Sequence, residues 1–160
     1  MQTTPDFSRP PTSPPPGTGF GSPRAVASTT ESALAVFRVH GGVAHAEEVV
    51  ERLRKQCSQP MSRLARWIAS REVLIVESHG EVWLPLFRFD LDIGTIRTEA
   101  SQTLATLNPA FECWEIVTWF VEPNSWLGGD APICVFFHDI PSVLQAARTD
   151  RFVAAGYLSE

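Results

Sequence analysis

His40 and His45 are the first residues to weigh for chemistry, and they lie five apart. Two metal ligands on one helical face need a spacing of four, so no metal site is expected there. Asp90, Asp92 and Gly94 resemble a fragment of a calcium loop, but the third acid and the closing glutamate are missing. A turn after Phe89 is the expected role of that segment. Cys57, Cys113 and Cys134 are odd in number, far apart and without a Cys-x-x-Cys pair. Disulfides and a zinc site are therefore not expected, and reduced thiols in a cytoplasm are. The chain has no glycine-rich phosphate loop, no nucleophile elbow and no His-Glu-x-x-His. Serine, histidine and aspartate all occur, but nothing in their placement marks a triad. No enzyme activity and no cofactor are expected, which turns attention to binding.

Polar residues suited to nucleic acid gather in one place. Ser58 to Arg71 contains three arginines and no acid. If this stretch holds a recognition helix, Gln59, Ser62, Arg63 and Arg66 would face base edges. Arg71 and His79 would then touch phosphates. The competing reading of the same residues is an ordinary solvated helix face. Net charge over the whole chain is −5, which by itself does not point to nucleic acid. The distribution is uneven: Arg38 to Arg71 carries +4, and Thr98 to Glu160 carries −6. A basic segment before an acidic one suggests two different partners.

Elements that would hold these residues can be read from period and punctuation. Residues 1 to 23 hold seven of the thirteen prolines, with Gly, Ser and Thr between them. Such a stretch buries too little apolar surface to offset its ordering entropy, so residues 1–30 are read as a disordered arm. Pro14-Pro15-Pro16 could serve as a polyproline II ligand or as a plain spacer. Ser32 to Val39 is a short helix or a docking strand. Ala46, Val49, Val50 and Leu53 share one helical face, with glutamates early and Arg52, Arg54 and Lys55 late. After a turn at Cys57 to Pro60, Met61, Leu64, Ala65 and Ile68 share a second face. Val73 to Val76 reads as a strand, Ser78-His79-Gly80 as a turn, and Val82 to Leu84 as the return, with Pro85 ending the pairing. Two short helices followed by a hairpin form a winged helix-turn-helix-like unit.

Beyond it the pattern is helical: Glu99 to Leu107, then Phe111 to about Val121. Pro123 pushes Glu122 out of helical dihedrals and ends that helix. Asn124 to Gly129 reads as a loop, Pro132 to His138 as a short helix or extended piece, and Pro141 to Arg148 as the last helix. No apolar run approaches the length of a membrane span, and the N-terminus lacks the pattern of a secretory signal.

These residues resemble a known family. Gly80 to Asp90, ending Pro85-Leu86-Phe87-Arg88-Phe89-Asp90, is similar to the "G…PLFQFD" hairpin segment of certain small bacterial proteins. In those proteins a DNA-binding helical unit precedes a toxin-binding domain. Trp114 to Phe120, then Pro123-Asn124-Ser125-Trp126-Leu127-Gly128-Gly129, then Ala131-Pro132, is similar to that domain's signature. The signature is a Trp-bearing helix, a Pro-Asn turn, Leu-x-Gly and a following proline. The helix ending Ala146-Ala147-Arg148 also fits. The family is the Xre/MbcA/ParS-like antitoxin group, and the resemblance covers roughly Gly41 to Gly156. It implies an antitoxin that binds a RES-domain toxin, an NAD-consuming enzyme, and blocks its active site. Family members often begin with a larger Xre-type bundle, whereas the front here reads as a disordered arm and a winged-helix-like unit.

The expectation is a mainly α protein with a small β-hairpin. Residues 1–30 form the arm, 31–90 the helix-turn-helix with its wing, and 91–160 a helical toxin-binding domain. It would neutralise its toxin and repress its own promoter; a regulator or adaptor without a toxin is the alternative. Partner contacts would come from Pro123, Asn124, Leu127, Gly128 and Gly129, and from a tail with Phe152, Val153, Tyr157 and Leu158. Asn124 and Leu127 have a second reading as builders of the fold, and Phe152 and Val153 as residues packed back on the domain. The expected partners are thus a RES-domain toxin and promoter DNA, in the cytoplasm and away from membranes, with room for a homo-oligomer.

Overall fold

The computed structural model describes the backbone of residues 23–157 and the side chains of residues 29–156. Pro14 to Pro16, the arm to residue 22 and Leu158 lie outside the described residues, as does the side chain of Tyr157.

Helix α1 spans Pro23–Val39, so the segment at Ser32 to Val39 is helical and the helix begins inside the stretch read as an arm. Proline suits a first helical position because its missing N–H would be unpaired there anyway. Ala33, Leu34 and Phe37 form its buried stripe. A short strand, β1 (Val43–His45), follows, then α2 (Ala46–Leu53). The backbone N–H of His45 donates to Glu48 Oε2 at 3.0 Å, which satisfies a donor at the helix start. Val49, Val50 and Leu53 are buried, the face the spacing predicts.

Helix α3 (Pro60–Ala69) departs from its predicted face. Leu64 is buried with Trp67 and Ile68 beside it, whereas Met61 is 70% exposed and Ala65 is also exposed. The large indole decides the rotation: its ring lies 5.9 Å from that of Phe89. Arg71, with φ 57°, turns the chain out of α3.

The expected strand at Val73 to Val76 is displaced. Strand β2 is Val76–Ser78, and β3 is Glu81–Pro85. Between them His79 and Gly80 both have positive φ, the requirement of a two-residue type I′ turn. Nor is the sheet a simple hairpin: β1 adds to the other side of β3, giving an antiparallel order β1-β3-β2 with Ala44 opposite Leu84 and Glu77 opposite Val82. A 3-10 turn (Leu86–Arg88) leads to a two-stranded ribbon, β4 (Phe89–Asp90) with β5 (Thr95–Ile96).

The remaining helices are α4 (Thr98–Leu107), α5 (Cys113–Val121), α6 (Pro132–Phe136) and α7 (Ile140–Tyr157), with a 3-10 turn at Ser125–Leu127. The last is far longer than the predicted Pro141 to Arg148. The described residues are thus mainly helical. No helix among them is long and apolar enough to cross a membrane.

Two apolar clusters hold the fold. The first joins Ala33, Leu34 and Phe37 of α1 to Leu104, Ile116, Phe120, Ile133, Phe136 and Val143, so it draws on both sides of residue 90. The second joins α2 and α3 to the sheet through Val49, Leu53, Leu64, Leu84 and Phe89. Residues 73–76 divide them. Val73 and Ile75 face the second cluster, while Leu74 and Val76 face the first. Phe87 and Phe89 divide their loyalties the same way. Period-2 alternation thus places apolar residues on both sides of a thin partition.

Candidate functional site

The residues read as a DNA-facing set separate into two groups. Gln59, Ser62 and Arg66 are exposed on α3 and at its start. Arg63 is half-buried, and its Nη1 donates to the carbonyl of Gly94 at 3.0 Å, tying α3 to the β4–β5 turn. Arg71 turns inward as well. Its Nη2 donates to Phe111 O at 2.8 Å and its Nη1 to Asn108 O at 3.5 Å, while Asn108 Nδ2 donates back to Arg71 O at 3.1 Å. That reciprocal clasp joins the end of α3 to the α4–α5 connection. His79, at the tip of the β2–β3 hairpin, pairs with Glu31 of α1 at 2.6 Å. Arg38 of α1 lies over the Trp83 ring, 5.4 Å from its centroid. Glu31, Arg38, Ser78, His79, Glu81 and Trp83 line a shallow hollow of about 260 Å3 there.

The loop after α5 is built around one carboxylate. Pro123 leaves Glu122 at φ −90° and ψ 151°, which ends the helix. Asn124 is 8% exposed. Its side-chain oxygen accepts the N–H of Trp126 at 2.9 Å, and its carbonyl accepts the N–H groups of Leu127 and Gly129, each at 3.0 Å. Gly128 (φ 69°) and Gly129 (φ 91°) take conformations that any side chain would strain, and they return the chain so that Asp130 O accepts from Asn124 N at 3.1 Å. Leu127 is half-buried against the first cluster. Asp150 of α7 then fastens the loop. It accepts from Trp119 Nε1 (2.7 Å), Asn124 Nδ2 (2.8 Å) and Trp126 Nε1 (2.8 Å).

No protein-family model, no curated protein and no solved structure matches this chain. Function has to be argued from the site itself.

The sequence reading placed Asn124, Leu127, Gly128 and Gly129 in the same loop, and the structure brings them together. It also shows Asn124 and Leu127 building that loop. Asp150 escaped notice because an aspartate distant in sequence carries no local mark. Trp119 and Trp126 belong to the Trp-bearing motif, and their indole N–H groups are the signal that an acceptor should be sought. Around them Pro123, Glu122, Ser125 and Asp150 frame an open depression of about 270 Å3. Phe152 is 79% and Val153 43% exposed on the last turns of α7, so they do not pack back on the described residues. Trp126 and Trp114 are exposed as well. Trp114, Trp126, Phe152 and Val153 are thus exposed apolar side chains on α5, the loop and α7, and the loop is flanked by the exposed acids Glu122 and Asp130. Among the described residues no group of three or more His, Cys, Asp or Glu side chains could hold a metal ion.

Among the described residues, Arg88 and Asp139 are displaced from their ordinary values. Burial pushes the Arg88 guanidinium down to about 9, against the opposing pull of the Glu72 carboxylate. The Ser142 hydroxyl and N–H hold the Asp139 carboxyl below its usual range, at the start of α7.

Proposed function

We propose that this chain is a DNA-binding, antitoxin-like protein, with a reader in its N-terminal half and a partner-binding face on its C-terminal helices. The observation that carries the reading is a loop locked by Asp150 together with exposed apolar residues, Phe152 and Val153, on the last turns of α7. A preorganised loop loses little entropy on binding, and exposed aromatic residues make effective anchors. Acids around them suit a basic cleft and would speed encounter. The resemblance to Xre/MbcA/ParS-like antitoxins names the partner as a RES-domain toxin, whose active site this face would cover. No catalysis by the chain itself is part of the proposal, and it would act in the cytoplasm.

Support for the reader comes from order. The succession α1-β1-α2-α3-β2-β3, with β3 between its neighbours, suits a winged helix in which α3 enters the major groove and the β2–β3 turn reaches the backbone. Since Arg63, Arg71 and His79 are engaged within the fold, the side-chain contacts fall to Gln59, Ser62 and Arg66, with the β2–β3 turn approaching the backbone.

A gel shift at low salt with the gene's own promoter tests the reader. Binding by the wild type and weaker binding by Arg66→Ala are expected; no binding by the intact protein ends that half of the proposal. Co-expression with the RES-type toxin encoded beside the gene tests the other half. Growth arrest by the toxin should be relieved by the full chain and not by a chain lacking Arg151 to Glu160. Promoter binding without rescue would replace the antitoxin with a regulator that has no toxin.

A further inference from the structure

Cys134 and His40 come from distant parts of the chain and meet at the surface. Cys134 lies in α6, and His40 follows α1 in the turn before β1. Cys134 Sγ stands 3.4 Å from His40 Nε2, and both residues are half-exposed. Cys57 and Cys113 are half-buried to the same class, so exposure alone does not set Cys134 apart. What sets it apart is the imidazole, since neither of the others has a histidine in contact among the described residues. A thiol within reach of a base meets the geometric condition for an activated nucleophile.

We propose that Cys134 is a modification site, a thiol primed by His40 to react with soft electrophiles and peroxides. In alkylation the sulfur forms a bond to carbon, the halide leaves with its electron pair, and the thiol proton passes to His40 Nε2. With a hydroperoxide the sulfur attacks one oxygen and the O–O bond breaks. Sulfur is oxidised by two electrons to a sulfenic acid, and the peroxide is reduced to water or an alcohol that takes the proton held by His40. Nothing in this chemistry needs a metal or a second protein.

The position gives such a change a structural consequence. Cys134 packs against the first cluster between Ile133 and Val135. An adduct on Cys134 would therefore add its bulk at the edge of that cluster.

Competition among the three cysteines of the full, reduced chain tests the proposal. With limiting iodoacetamide at pH 7, peptide mapping by mass spectrometry should show Cys134 alkylated about tenfold faster than Cys57 and Cys113. In His40→Gln the Cys134 rate should fall to theirs, while the rates at Cys57 and Cys113, which would rise on unfolding, stay put. Hydrogen peroxide followed by dimedone should give its first adduct at Cys134. Equal alkylation of all three thiols in the wild type would overturn the proposal, whatever the variant does. So would an unchanged Cys134 rate in His40→Gln.

Discussion

Arg88 is fully enclosed between Phe87 and Phe89, and none of its three guanidinium nitrogens has a hydrogen-bond partner among the described residues. A charge so placed costs free energy that the fold must offset elsewhere. Replacing Arg88 with Met should therefore stabilise the protein, by about 1–4 kcal/mol, read as a raised urea midpoint at pH 7. The gain should be pH-dependent in one direction. Because the folded-state value is lowered, the unfolded chain holds the proton more tightly, and wild-type stability rises as pH climbs through about 9. The advantage of Met should then shrink above that pH. Asp150 predicts the opposite kind of change. Asp150→Ala strands the part-buried donors of Trp119 and Asn124, releases the exposed indole N–H of Trp126, and should cost about 1–3 kcal/mol. The indole N–H resonances of Trp119 and Trp126 should shift and exchange faster with solvent; unchanged resonances would mean that the carboxylate does not hold the loop.

At the scale of elements, α7 starts from a defined cap. Asp139 Oδ1 accepts Ser142 N at 3.2 Å and its Oδ2 accepts the Ser142 hydroxyl at 2.6 Å. Asp139→Ala should lower the melting temperature at pH 7. A lowered carboxyl contributes stability above its unfolded-state value and loses it as pH falls through the folded-state value, so variant and wild type should converge in acid. In α3, Leu64→Ala removes the one fully buried side chain of that helix and should cost about 2–5 kcal/mol. These elements also show what a sequence can convey. The face of α2 and the stop at Pro123 are legible because spacing and proline act locally. Strand β1 is not, since three residues carry no period and their pairing with β3 is a tertiary fact. Val73 to Val76 alternates as a strand would, yet its first residues only partition two cores. The end of α7 lies well past the expected Arg148, because no proline or glycine follows until Gly156. Arg63 and Arg71 read as free cations, and only the folded chain reveals the carbonyls that hold them.

For the whole molecule, the arrangement joins a sheet-bearing part, which carries the arginines of α3, to an acidic, helical one across a shared core. The two ends should therefore be separable in function though not in folding. Arg66→Ala should weaken promoter binding and leave toxin rescue intact, while removal of Arg151 to Glu160 should do the reverse. The claim on which this rests is that the exposed end of α7 is a docking surface. It is tested most directly by co-purification of the full-length chain with a RES-type toxin, the partner that the proposed function calls for, comparing wild type with Phe152→Asp. Phe152 is exposed, so the substitution should leave the melting temperature unchanged. A stable complex with the wild type, lost or weakened at least tenfold in Phe152→Asp, is the predicted result. Equal recovery of the toxin with both proteins, or with neither, would contradict it.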